Sequence, residues 1–269
     1  MLATGSHPSG HRLVASLGHE LVPPVPSLFT VALENHPLAT LAGVSMDPVV
    51  LELLQEGGRA EGASSRSSAK RVQGNRPQRG AVLITHWGLS GPATLKLTAF
   101  AARDLKEARY RGCLQVDWTG GLSPQAIDGL FQRAREEQAR RLLINARPWP
   151  ALSRRLWGHL LDTHGVEADR RWADLAKGQR RKLIQGLRAS RYTISRRGPF
   201  GEEFVTAGGV PLNQVNLTSM QSRLNPNLYL VGELLNVDGV TGGFNFQHCW
   251  SGGWLAGQAL AAQQASVRS

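Results

Sequence analysis

The 269-residue sequence has few of the features that mark disulfide-stabilised, metal-binding or membrane-spanning proteins. Its two cysteines, Cys113 and Cys249, match no metal-ligand spacing, so we predict two reduced, mostly buried thiols and no metal site. No stretch approaches the roughly 18 uninterrupted apolar residues of a membrane span. The N-terminus also lacks a charged-then-apolar signal pattern. We therefore expect a cytoplasmic protein with no membrane partner.

Acidic residues are also scarce, and the imbalance is local. The chain has 31 Lys and Arg against 20 Asp and Glu, a formal charge of +11, and residues 133–197 hold 17 of the basic and 6 of the acidic residues. Such a surplus attracts polyanions. Arginine pairs on helices usually form a solvated face, however, so composition alone disfavours nucleic acid as a partner. We expect Trp149, Trp157 and Trp172 of this segment to lie in the core.

Hydrophobic spacing indicates a strand-rich region followed by a helical one. Strands are predicted at residues 28–33, 49–54, 81–85 and 114–118. Residues 57–80 are rich in Gly, Ser and Arg and predict a mobile hairpin loop or insertion. From residue 122 to about residue 190 helices dominate, beginning with Ser123 as N-cap and Pro124 as the first helical residue.

The clearest chemical pattern lies in the last third of the chain. Residues 228–231 form an apolar run short enough for a buried parallel strand, and Gly232 and Glu233 follow at its carboxyl end, where ligands of open α/β sheets bind. A glycine-rich loop then leads to a helix of small residues from about Cys249. Such a helix start offers N–H groups to an anion, but glycine-rich loops also form tight turns without a ligand. The pattern alone leaves both interpretations open.

Four ordered motifs resemble one protein family. They are LATGSHP at 2–8, THWGLSGPATLKL at 85–97, TAGGVPLNQVN at 206–216 and LYLVGELLNVDGVTGGFNFQHCWSGGWLAG at 228–257. Together, over nearly the whole chain, they resemble the BaiN-like, or aminoacetone-oxidase-like, bacterial flavoproteins, which are NAD(P)/FAD-dependent oxidoreductases. The resemblance implies FAD as cofactor, NAD(P)H as a candidate electron donor and a small-molecule substrate.

The resemblance also implies an α/β fold, α+β overall, in which an FAD-binding Rossmann-like domain is interrupted by a β-rich domain with a helical insertion. We place the FAD-binding domain at 1–24 and 205–269, the β-rich domain at 25–121 and 193–204, and the helical subdomain at 122–192. A GxGxxG strand–turn–helix would hold the pyrophosphate in a complete member, and none precedes the first motif. We therefore expect an incomplete FAD-binding domain in a truncated chain.

The cofactor-binding residues follow from the matched motifs. Thr4 and Gly5 match the segment that returns to the FAD-binding domain, and Gly232 and Glu233 match the position where a carboxylate meets the ribityl or phosphate region. The loop implied beside the isoalloxazine comprises Asp238, Gly239, Thr241, Gly242, Gly243, Phe244 and Asn245. Backbone N–H groups of 242–245 would polarise the pyrimidine side of the flavin.

No catalytic residue is assigned from the sequence. His248 could orient a substrate or donate a proton, but we favour a structural histidine at this position. Two alternatives to the oxidoreductase stay open: a non-catalytic remnant without flavin, and a basic nucleic-acid-binding module with salt-dependent binding. The sequence does not predict the oligomeric state.

Overall fold

A computed structural model describes residues 1–55, 70–71, 76–198 and 204–268. The α-helices in these ranges are Pro8–Ser16 (α1), Pro92–Phe100 (α2), Ala102–Glu107 (α3), Pro124–Glu137 (α4), Arg154–Thr163 (α5), Lys177–Ala189 (α6) and Gly242–Arg268 (α7). The strands are Val22–Ser27 (β1), Val31–Leu33 (β2), Ser45–Gln55 (β3), Lys70–Arg71 (β4), Gln78–Ile84 (β5), Gly88–Ser90 (β6), Gly112–Asp117 (β7), Ser190–Arg197 (β8), Val205–Gly209 (β9), Val215–Asn216 (β10) and Gln221–Ser222 (β11). None of these helices is long and apolar enough to cross a membrane.

The chain divides into two compact units. The first comprises Met1–Phe29, Thr98–Lys106 and Glu202–Ser269, and the second comprises Thr30–Leu97 and Glu107–Gly201. The predicted boundaries placed residues 98–106 in the β-rich domain, whereas the structure groups them with the first unit. Thr98 shows why, because its hydroxyl donates to the Phe29 carbonyl at 2.9 Å and accepts from the Phe29 N–H at 3.0 Å.

Within the described residues, the second unit contains a seven-stranded antiparallel sheet in the order β4-β3-β5-β6-β2-β8-β7. Strand β7 also pairs with β3, so six of the strands form a closed ring. The short strand β4 is not part of the ring and pairs with the end of β3. Closure removes most exposed strand edges. The strands predicted at 49–54, 81–85 and 114–118 are confirmed as β3, β5 and β7, with small shifts of their ends.

Two predicted segments differ from the structure. Only the second half of the strand predicted at 28–33 is present, as β2 at Val31–Leu33. Leu28 adopts a left-handed backbone with φ of 54°, and β1 ends before it at Ser27. The loop predicted at 57–80 falls mostly outside the described residues. Residues 78–80, which the prediction placed in that loop, belong to β5.

A helical subdomain formed by α4, α5 and α6 lies between β7 and β8 in the chain. The predicted cap is confirmed, since the Ser123 hydroxyl accepts from the Ala126 N–H at 3.1 Å and Pro124 is the first residue of α4. The Phe131 ring meets Trp157 and Trp172 edge-on, with centroids 5.9 and 5.5 Å away, and the two indoles stack 6.3 Å apart. These aromatic contacts account for the buried core of the subdomain.

The first unit is built around a cluster of buried apolar side chains that α1 and α7 help to enclose. Strands β1 and β9 pair antiparallel. The predicted parallel pairing of residues 228–231 is present as an isolated bridge rather than a full strand. The Leu2 N–H donates to the Tyr229 carbonyl at 2.7 Å, and the Val231 N–H donates to the Leu2 carbonyl at 3.1 Å.

Candidate functional site

The predicted cofactor-binding residues of the last third surround the start of α7 in the first unit. The sequence placed this helix start near Cys249, which is wrong, because α7 begins at Gly242. Asn245 explains the earlier start: its side chain accepts from the Gly239 N–H at 2.8 Å and donates to the carbonyls of Gly239 and Thr241 at 3.0 and 2.8 Å. These bonds fix the loop and offset the poor helix propensity of Gly242 and Gly243.

The first turn of α7 faces open space. Its residues are Gly242, Gly243, Phe244 and Asn245, and the first N–H groups of a helix have no acceptor within the helix. A Cβ atom built on Gly242 or Gly243 would meet nothing within 4 Å. The positive end of the helix dipole adds to the attraction for negative charge. This end of α7 can therefore receive an anion or an electron-rich carbonyl group.

Glu233 lies on a short 3-10 turn, Gly232–Leu234, which packs against α7 near Cys249. Its Oε1 atom accepts from the Thr206 N–H at 2.7 Å, which ties the turn to β9. Gly232 has φ of 73°, a backbone conformation that favours glycine. One carboxylate oxygen of Glu233 is thus used in the fold, and the other retains acceptor capacity for a ligand hydroxyl.

Two titratable side chains lie close enough to Glu233 for its charge to affect them. Burial raises the pKa of the Cys249 thiol, and the Glu233 carboxylate raises it further. Burial lowers the pKa of His11, and Glu233 opposes that shift. His11 is only 7% exposed, and its Nε2 atom has no hydrogen-bond partner among the described residues. No sequence pattern pointed to His11, which lies in α1.

Asp238 is held separately from Glu233. Its Oδ2 atom accepts from the hydroxyl of the fully buried Ser27 at 3.2 Å. Burial raises the pKa of Asp238, and the Ser27 bond and the charge of Arg103 oppose the shift. The bond joins the loop before α7 to the end of β1. Asp238 therefore helps to position the loop whether or not it also contacts a ligand.

Thr4 and Gly5 run toward the same edge of the first unit as Gly232 and Glu233, because Leu2 and Leu230 pair in parallel. The Thr4 side chain packs against Gly10 of α1 so closely that a Cβ atom at Gly10 would overlap it. Gly5 has φ of 60° and open space around its Cα. Thr4 thus seats α1, and Gly5 makes the turn into it.

The outward face of α7 carries aromatic residues that sequence reasoning passed over. Phe244, Phe246, Trp250 and Trp254 are each 62–67% exposed, and Phe246 stacks on Trp250 with centroids 5.9 Å apart. The i, i+4, i+8 spacing of Phe246, Trp250 and Trp254 was the available signal. The small residues of α7 pack closely against the core only on the inward face of the helix, where Gly252 and Ala256 are buried.

Metal ligands are not clustered in the part of the chain that the structure describes. No group of three or more histidine, cysteine or carboxylate side chains there could hold a metal ion. Among the described residues Cys113 and Cys249 form no disulfide, and both are half-buried, which is more exposed than predicted. The Nε2 atom of His248 is buried without a hydrogen-bond partner among the described residues. Its unpaired nitrogen keeps both the structural and the substrate-orienting roles of His248 open.

Comparison with protein families identifies the chain at the family level. A family model described as the HI0933-like protein Rossmann domain matches residues 1–259. The chain belongs to this family. Membership confirms the family resemblance predicted from the four motifs, and it confirms the α/β class with a Rossmann-like domain.

Curated relatives of this HI0933-like protein carry enzyme names. One is the 3-dehydro-bile acid delta(4,6)-reductase of Clostridium scindens, 30% identical over 261 residues, or 96% of this chain and 58% of the relative. Ribosomal RNA dihydrouridine synthases of Haemophilus influenzae and Escherichia coli are 25% and 26% identical, over 98% and 99% of this chain. The chain spans 58–59% of the length of these relatives. Their names support the predicted oxidoreductase class.

Proposed function

We propose that the first unit forms one side of an FAD site in a flavin-dependent oxidoreductase. The observation that carries the proposal is the first turn of α7, where the N–H groups of 242–245 face open space beyond Gly242 and Gly243. Family membership supports it. The residues fit the cofactor, because a flavin has electron-rich carbonyls for the helix end and a planar apolar ring for the exposed Phe244.

Each residue then has a defined task. FAD, when bound, supplies the hydride or electron transfer. The N–H groups of 242–245 stabilise negative charge at the helix end, and Asn245 holds the loop in that geometry. Glu233 accepts hydrogen bonds from the ribityl hydroxyls with the oxygen that Thr206 leaves available. Thr4 and Gly5 complete this edge, and NAD(P)H is the proposed electron donor.

The relatives' names suggest the kind of reaction. One is a reductase, and the product named in the others, dihydrouridine, is uridine with two added hydrogens. We therefore propose that the protein takes part in the reduction of an unsaturated organic substrate. Two substrate classes follow from these names: a small hydrophobic molecule and a nucleobase in RNA. Composition alone disfavoured nucleic acid, but the names of two relatives add RNA as a candidate, and the basic segment 133–197 could attract its phosphates.

Flavin binding tests the proposal directly. The purified chain is expected to retain stoichiometric flavin absorbance after incubation with FAD and desalting, and the absorbance should bleach anaerobically on addition of NADPH. A colourless protein would contradict the proposal for this chain. Colourless protein that binds RNA with steep salt dependence would favour the nucleic-acid-binding module, and colourless protein that binds neither would favour the remnant.

A further inference from the structure

A pocket separate from the proposed flavin site lies in the helical subdomain, at residues 130–150. It has a volume of about 500 Å³, between the C-terminal half of α4 and the segment 141–150. That volume suits a small organic ligand. The polar and aromatic side chains that line it include Arg133, Glu137, Arg141, Asn145, Arg147 and Trp149. Trp149 is half-buried, which corrects its predicted place in the core.

The wall formed by residues 141–150 is held in place by the core beneath it. The buried Trp172 donates its indole N–H to the Ala146 carbonyl at 2.7 Å, and Trp157 donates to the Leu143 carbonyl at 2.8 Å. On the outside, the Arg154 guanidinium donates to the Asn145 side chain at 2.8 Å. The pocket is therefore preformed, which lowers the entropy lost when a ligand binds.

The electrostatic field around this pocket is positive. Residues 133–197 carry the entire formal surplus of the chain, +11. Several arginines there donate to backbone carbonyls, which leaves their charge uncompensated: Arg135 to Ala173, Arg147 to Leu152 and Arg188 to Leu122. Inside the pocket, three guanidinium groups outnumber the one carboxylate, Glu137. The pocket thus attracts an anion.

We propose that this pocket binds an unpaired nucleotide of RNA. An aromatic face beside several guanidinium groups is the combination that recognises single-stranded nucleic acid, where the base stacks and arginines pair with phosphate. Trp149 provides the stacking surface, Arg133 and Arg141 pair with phosphate, and Asn145 can hydrogen-bond a base edge. The choice of RNA rests on the proposed reductase function, and it differs from the sequence-based expectation of a small-molecule substrate without nucleic acid.

Fluorescence anisotropy with a labelled single-stranded RNA oligonucleotide tests the proposal on the flavin-free full chain. The Arg133→Gln/Arg141→Gln double variant is expected to bind at least tenfold more weakly and to flatten the salt dependence, by roughly 0.7 in log–log slope per lost phosphate contact. The matched control is Arg171→Gln/Arg181→Gln, which removes two exposed arginines of the same subdomain outside this pocket. The control should change the affinity less than threefold.

Variants of Trp149 separate stacking from folding. Trp149→Leu should weaken RNA binding about tenfold without changing the salt slope, whereas Trp149→Phe keeps an aromatic face and should restore most of the affinity. Circular dichroism of each variant checks the fold. The proposal would be overturned if the pocket and control double variants lost the same amount of RNA affinity, or if the wild-type chain did not bind RNA. It would also be overturned if the chain bound duplex DNA or anionic phosphatidylserine vesicles as tightly as the single-stranded RNA. Because flavin is absent throughout, these outcomes are independent of the flavin-binding test.

Discussion

Replacing Gly209 with alanine is expected to destabilise the first unit by roughly 3–5 kcal/mol, the range of the most severe point mutations. Gly209 has φ of 111°, a backbone conformation that costs other residues about 1–3 kcal/mol. An added Cβ atom would also collide with the Leu234 carbonyl oxygen, which accepts from the Val210 N–H at 2.9 Å. Backbone atoms cannot rotate away as a side chain can. Urea unfolding followed by circular dichroism measures the loss.

The substitution should also displace Glu233, which we propose contacts the flavin, because the contact between Gly209 and Leu234 holds the turn that carries Glu233. Gly129→Ala is the matched control. Gly129 lies exposed within α4, and a Cβ atom there meets nothing within 4 Å. That substitution should raise stability by about 0.5–1 kcal/mol. If Gly209→Ala were tolerated as easily as Gly129→Ala, the close contact between β9 and the Gly232–Leu234 turn would be wrong.

Gly243→Leu should abolish flavin binding while leaving the fold intact. Gly243 is exposed in the first turn of α7, and a Cβ atom there meets nothing within 4 Å, so leucine can enter without strain. Leucine also favours the helix over glycine by up to about 1 kcal/mol. Its side chain would fill the space in front of the N–H groups that we assign to the cofactor. We expect at least a hundredfold loss of FAD affinity, measured by titration of flavin fluorescence.

The control for this substitution lies on the same helix. Gly257 is exposed and likewise has nothing within 4 Å of its Cβ position, but it is four turns further along α7. Gly257→Leu should leave FAD affinity within twofold of the wild type. Unchanged affinity in Gly243→Leu, or a comparable loss in Gly257→Leu, would remove the start of α7 from the proposed site.

Local signals predicted a large part of the fold. The Ser123-Pro124 pair located the start of α4, because a side-chain cap and a fixed proline φ act within one turn and need no distant partner. The length and hydrophobicity of the run 228–231 predicted a buried parallel strand, and the structure forms only a parallel bridge there, with Leu2 as its distant partner. The four motifs then placed the chain in its family.

The failures of prediction arise where a specific side-chain contact or backbone conformation overrides the average preference of the residue types. Glycines at 242 and 243 read as a loop, yet the Asn245 side chain makes them the first turn of a helix. The left-handed backbone of Leu28 breaks a strand that its apolar neighbours predicted. Trp149 reads as a core residue from its type alone, and only the fold shows it lining a pocket.

Amide hydrogen–deuterium exchange with and without FAD is the most direct test of where the cofactor binds. We predict slower exchange on addition of FAD at residues 239–245, with no change in α4 or α6 of the helical subdomain. The N–H groups of the first turn of α7 should show the largest change, because they lack acceptors within the helix. Unchanged exchange at 239–245 while FAD is bound, or protection confined to the helical subdomain, would contradict the proposed site.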